Sequence, residues 1–191
     1  MNNEAKQLKL GFLLVWIVIT WIVFCIGFIF CVGFTDGINQ GNIKELVFGL
    51  LIGAVVGYSQ WLILRNQIQM SSFWGMASII GMGIPYLLVI FLPMLGIKIA
   101  EVVDPDHEFY LFMVYAIGGL LTGLLQVRLL KSYYLKAGWW SLINFIAWGM
   151  GSYLLWLNPN VIVGLFMCAI IIGTITGIGL VWMSKIKIQQ E

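Results

Sequence analysis

Charge is what this chain has least of. Asp, Glu, Lys and Arg make up 9% of its 191 residues, against about 25% in soluble domains. That shortage excludes a water-exposed globule, because there is too little polar surface to cover one. Histidine is almost absent too. A single His107 leaves no H-E-x-x-H motif and argues against zinc-protease or haem chemistry. The three cysteines, Cys25, Cys31 and Cys168, form no C-x-x-C, so the thiol-redox signal is missing. Cys25 and Cys31 also lie about 120° apart on a helix. Buried, unreactive thiols are the reading we adopt. Ser152 in "GMGSYLL" has neither a G-x-S-x-G frame nor a histidine base, so it reads as a packing serine. Bases are few and dispersed, which disfavours nucleic acid as a partner. No cofactor is expected, and no enzyme.

What is there is apolar. Hydrophobic residues make up 61% of the chain, and the mean hydropathy is +0.99. Six apolar runs are long enough to cross a bilayer: 10–34, 46–64, 73–97, 109–130, 139–157 and 160–183. A crossing helix needs about 20 residues. The runs do not alternate polar with apolar as β-barrel strands do, and lipid offers no partner for free backbone groups. The expectation is therefore an all-α integral membrane protein of six helices forming a single domain over 1–191. The first run is too long for a signal-peptide core and lacks a small-x-small cleavage site, so it is expected to be retained.

No Asp, Glu, Lys or His falls near the centre of any run. That argues against proton-coupled transport, which relies on such residues. The bases divide unevenly. Lys6, Lys9, Arg65, Arg128, Lys131, Lys136, Lys185 and Lys187 fall on one side, and Lys44 and Lys98 on the other. The positive-inside rule then puts both termini in the cytoplasm. With the acids included, the inner face carries +6 and the outer face −4. A bacterial cytoplasmic membrane is the expected location.

The motif that stands out is "GAVVGYSQWLILR" at 53–65. It returns as "GLLTGLLQVRLLK" at 119–131. A shift of 66 residues aligns 53–88 with 119–154 at eight identities, among them Gly53/Gly119, Gly57/Gly123, Gln60/Gln126 and Trp74/Trp140. Gly173 and Gly177 begin a fainter third copy, in which Leu180 replaces the glutamine. Three helical hairpins, approximately 10–64, 73–130 and 139–183, are the simplest parse, with a pseudo-threefold arrangement about the membrane normal. Inverted-repeat transporters are built differently. Gly53, Gly57 and Gln60 share one helical stripe. The glycines allow a second backbone to approach closely, so the amide should point into a helix seam. Seven ångströms or so of axial rise separate Gln60 from Arg65, placing both glutamines in the inner third. Gln60 is expected to face Ser78, and Gln126 to face Asn144. Pro85, with Gly81 and Gly83, is expected to kink the third span.

The pattern G-x-x-x-G-x-x-Q-W-L-x-L-R, followed by Phe73-Trp74 and, in the second copy, Trp139-Trp140, resembles a group of uncharacterised small bacterial multi-span proteins. The resemblance covers about residues 49–155. The second copy departs from it with "QVRLLK". It implies a six-helix membrane fold and supplies no catalytic residue.

Two polar clusters remain. Asp104, Asp106, His107 and Glu108 in "EVVDPDHEF" are candidate ligands for a divalent cation, set against a solvated turn opened by Asp104-Pro105. Arg65, Arg128, Lys131 and Lys136 are placed to meet anionic lipid headgroups, at about 1 kcal/mol per base. Two functions follow. The first is a non-enzymatic scaffold, assembly or accessory subunit that uses glycine-lined packing, with membrane lipids and a protein partner or a second copy as neighbours. The second is a small-solute binding or transport subunit. An outward-opening cavity of a few hundred Å³ would favour the second.

Overall fold

The computed structural model describes residues 8–39, 41–92, 95 and 108–185, without the side chains of 42 and 108–111. Six long helices account for nearly all of it: α1 Leu10–Thr35, α2 Gly41–Ile68, α3 Phe73–Phe91, α4 Glu108–Leu130, α5 Trp140–Leu157 and α6 Val161–Ser184. A short 3-10 turn, Ala137–Trp139, leads into α5. Five of these helices are long and apolar enough to cross a membrane. The fifth, α5, is not among them; Ser141, Asn144 and Ser152 dilute its apolar content.

The outer surface is apolar where that of a soluble bundle is polar. Leu14, Ile22, Ile26, Ile29 and Phe34 of α1 are exposed, as are Ile162, Phe166 and Ile170 of α6. The buried set includes Thr20, Gln60, Ser78, Thr122, Gln126, Asn144, Ser152 and Thr176. Apolar outside and polar at the seams is the arrangement that a hydrocarbon solvent favours, since polar groups there must find partners within the protein.

Each helix packs on its neighbours in the chain, and α6 returns to pack on α1. The result is a closed ring of six. Ring closure is pinned at the basic end, where the Leu8 backbone N–H donates to Ser184 Oγ at 3.0 Å. Residues near the chain's two ends thus meet, although 176 positions separate them.

The repeated glycine stripes face the α2/α3, α4/α5 and α6/α1 seams, and other glycines make equally close approaches at α3/α4, where a Cβ on Gly81 would meet Thr122, and at α5/α6, where one on Gly164 would come within 2.5 Å of Leu155 O. A Cβ on Gly53 would come within 2.6 Å of Ser78 O, and one on Gly119 within 2.6 Å of Asn144 O. Backbone oxygens cannot move aside, so only glycine permits these approaches. Gly57 abuts Ser78, and Gly123 abuts Ser141. Gly173 lies against Ile17, and Gly177 against Leu13 and Trp16. The expected hairpins pair the helices as α1/α2, α3/α4 and α5/α6. Those pairs touch, with close glycine contacts of their own, while the three repeated stripes face the other neighbour of each even helix. A ring gives every helix two partners, and the stripes Gly53/Gly57, Gly119/Gly123 and Gly173/Gly177 face the one that follows around the ring.

Local signals explain the connections. Asn160 caps α6, its side chain accepting from the N–H groups of Ile162 at 3.0 Å and Val163 at 3.2 Å, as a cap residue should. The α2–α3 turn passes through Gln69 at φ 50°. It is held by Trp61, whose Nε1 donates to Met70 O at 2.8 Å. Helix α3 runs on through Pro85. It ends at Phe91, short of the expected residue 97.

Candidate functional site: a cup above an aromatic floor

The floor is built first. Trp16, Trp74 and Trp140 are fully buried and belong to one core cluster at the basic end of the ring. Each sits near the start of an odd-numbered helix and gives its indole N–H to an even-numbered one. Trp140 Nε1 donates to Gln126 Oε1 at 2.7 Å. Trp74 Nε1 donates to Gln60 Oε1 at 3.4 Å. Trp16 Nε1 donates to Thr176 Oγ1 at 3.0 Å. A buried indole has a single donor and no acceptor of its own, and at these three seams the neighbouring helix supplies the acceptor. That is the task of the two glutamines.

The expected partners are therefore corrected. Gln126 does not bond Asn144. Its Nε2 donates instead to Ser78 Oγ at 2.9 Å and to Trp74 O at 3.3 Å. Asn144 turns back on its own helix, donating from Nδ2 to Trp140 O at 2.9 Å. Ser78 Oγ similarly donates to Trp74 O at 3.2 Å. Gln60 binds the indole of Trp74 in place of Ser78. Spacing along one helix gives the depth of these amides; it does not give the rotation of the helices beside them. Gln126 thus ties α4 to both α3 and α5, and the rings of Trp74 and Trp140 meet beside it at 5.7 Å.

Sequence reasoning misses Trp16 and Thr176. A signal for them is present: the odd helices share a tryptophan followed four residues later by a small polar residue, in Trp16/Thr20, Trp74/Ser78 and Trp140/Asn144. In the third seam Thr176 supplies the acceptor, where Leu180 stands in the glutamine register.

Above this floor the ring interior is filled by aromatic rings. Phe24 meets Trp148 at 6.0 Å, Tyr115 stacks parallel to Trp148 at 6.5 Å, and Phe28 meets Phe48 edge-on at 5.3 Å. The gap left among them is about 10 Å³, near the minimum for one water. Ser152 lies here and donates to Gly149 O at 2.9 Å. Its side chain is buried. Cys31 and Cys168 are buried, Cys25 is half-buried, and all three are free thiols.

The plug stops short of the other end. At that end lies a cavity of about 340 Å³, lined by Phe28, Val32 and Thr35 of α1, Gly41, Lys44, Glu45 and Phe48 of α2, Tyr86 of α3, Tyr115 of α4 and Trp156 of α5. Tyr86 and Tyr115 meet edge-on at 6.5 Å. Its one base, Lys44, is taken: Nζ lies 2.8 Å from Asp36 Oδ1. No described residue pairs with Glu45. The cup is of ligand-pocket size and make-up, mostly apolar with a few polar groups. Sequence reasoning misses all of its residues, because they come from five helices and share no spacing.

The remaining candidates lie outside this site. Asp104, Asp106 and His107 fall outside the described residues, as does the side chain of Glu108. Among the described residues no three His, Cys, Asp or Glu side chains gather as metal ligands would. The bases ring the basic end: Arg65 lies 5.0 Å from the centre of the Trp61 ring and Lys136 4.5 Å from that of Trp182, while Arg128 and Lys131 are exposed. Beside Lys136 an apolar groove of about 330 Å³ runs between α5 and α6, lined by Trp139, Ile143, Ile175, Ile178, Gly179 and Trp182. No family model, curated protein or solved structure matches the chain.

Proposed function

We propose that the chain is a multi-pass protein of a bacterial cytoplasmic membrane whose cup captures a small solute from the outer side. All six helices cross in this reading. The buried polar seams of α5 account for its lower apolarity. Both termini lie inside, because the basic residues cluster at the floor end and the acids Asp36 and Glu45 at the cup end. The three glycine seams, each with an odd-helix tryptophan bonded across it, support a pseudo-threefold repeat whose unit is an even helix followed by an odd one. The last such unit joins α6 to α1.

One observation supports the functional reading: a 340 Å³ aromatic-walled cavity at one end of the ring, with three fully buried tryptophans at the other. An open channel would lack the buried floor, and a closed structural bundle would lack the cavity. The chain then acts as a non-enzymatic binding subunit, passing its solute to a partner or reporting its presence. The scaffold reading draws its support from the glycine stripes. Those stripes are filled by the chain's own helices, with Gly53 and Gly57 on α3, Gly119 and Gly123 on α5, and Gly173 and Gly177 on α1. They are not surfaces for another protein.

The test is occlusion. Gly41 lines the cup, and a Cβ there meets nothing within 4 Å, so Gly41→Trp can fill the space without disturbing the ring. Native mass spectrometry from mild detergent should find a small molecule on the wild-type protein and none on Gly41→Trp. Equal retention by both would remove the cup from the function.

A further inference from the structure

Granting that the cup binds a solute, we propose that its solute class is an organic monocation: an amine or quaternary ammonium with a small apolar body. Three features of the cup point there. Its walls are aromatic, with Phe28, Phe48, Tyr86, Tyr115 and Trp156 from all five contributing helices. Such rings present negative faces that attract a cation, and quaternary ammonium ions are held in this way. Its charge is one-sided. Lys44 is drawn to Asp36, outside the lining, in an exposed ion pair at 2.8 Å, and Glu45 is the lining carboxylate with no described partner. A carboxylate against low-dielectric aromatic walls attracts a cation far more strongly than one in water. Finally, the approach is favourable: the described charges at the cup end are Asp36, Lys44 and Glu45, with one negative charge in excess, and such a field draws cations in.

The features also select against other classes. An anion would meet Glu45 with Lys44 already occupied. A sugar or other neutral polyol would need hydrogen-bonding groups on every side, and the polar lining is confined to Thr35, Lys44, Glu45, the two tyrosines and the indole of Trp156. A bare metal ion would need oxygen ligands in number, where the lining offers one carboxylate. An organic cation uses both the apolar walls and the single charge.

The experiment is calorimetric titration of the purified full-length protein with choline and with 3,3-dimethylbutan-1-ol, which has the same shape and no charge. Wild type, Glu45→Gln and Gly41→Trp are compared. Choline is expected to bind wild type at least about tenfold more tightly than the neutral alcohol, to lose at least about that factor in Glu45→Gln, and to lose binding altogether in Gly41→Trp. Lys44→Gln frees Asp36 and should keep or strengthen choline binding. If both probes bind wild type equally and Glu45→Gln changes neither, the cation assignment is overturned while the cup remains a solute site. If neither probe's heat differs between wild type and Gly41→Trp, the cation assignment fails. Retention of a native small molecule by wild type, and not by Gly41→Trp, would then show that the binding reading survives it.

Discussion

Replacing Gln126 by leucine asks whether the amides hold the ring in register. Leucine keeps much of the volume, and the chain itself places Leu180 in this register on α6. Three contacts disappear, at 2.7 Å to Trp140 Nε1, 2.9 Å to Ser78 Oγ and 3.3 Å to Trp74 O. Ser78 retains its own bond to Trp74 O, so its loss is about 0.6 kcal/mol, the mean for interhelical bonds in membranes. The indole of Trp140 fares worse. It is fully buried, and an orphaned buried donor costs about 1–3 kcal/mol. The sum is about 2 kcal/mol. Gln60→Leu orphans the equally buried indole of Trp74, but the bond it removes is long, 3.4 Å, and the cost should fall at the low end, about 1 kcal/mol. Reversible unfolding in mixed micelles, followed by circular dichroism, measures both. The expected order is Gln126→Leu below Gln60→Leu, with wild type the most stable. Equal effects, or a Gln126→Leu protein as stable as wild type, would refute the claim that indole-to-amide bonding fixes the seams.

Other outcomes follow from the same geometry. Gly53→Ala and Gly119→Ala each push a methyl to 2.6 Å from a backbone oxygen and should lower stability by about 1–3 kcal/mol. Gly33→Ala meets nothing within 4 Å and should be neutral or stabilising, since alanine is the better helix former; micellar unfolding separates the three. Asn160→Ala removes two cap bonds from α6 and should cost about 1 kcal/mol, read in the same assay. Cys31 and Cys168 are buried and should resist maleimide in the folded protein and react on denaturation; mass spectrometry of the labelled protein checks this.

Much of the fold is readable because the bilayer imposes lengths. The six runs anticipate every helix, and Gly53, Gly57 and Gln60 announce a seam by their shared stripe. What spacing along one helix cannot carry is the rotation of the next. Gln126 takes a different neighbour from the expected one, because Asn144 bonds its own backbone while Trp140 turns inward. Ring closure is hidden for a related reason. Gly173 and Gly177 show that α6 has a close partner, but not that the partner is α1, at the far end of the chain. The cup is invisible altogether. Phe28, Glu45, Tyr86, Tyr115 and Trp156 each read as an ordinary span residue or an outer-end acid, and only the assembled ring brings them to one space.

The most direct test of the account concerns which side of the membrane the cup faces. In a cysteine-free background, Val32→Cys places a thiol in the cup wall, and Lys131→Cys places one in an exposed position at the floor end. Intact cells carrying one or the other are treated with a membrane-impermeant, positively charged thiol reagent. The expected result is that the Val32→Cys protein is modified from outside, more slowly when choline is present, and that the Lys131→Cys protein is modified only after the membrane is opened. Labelling of the Lys131→Cys protein in intact cells, or of both variants from one side, would contradict it.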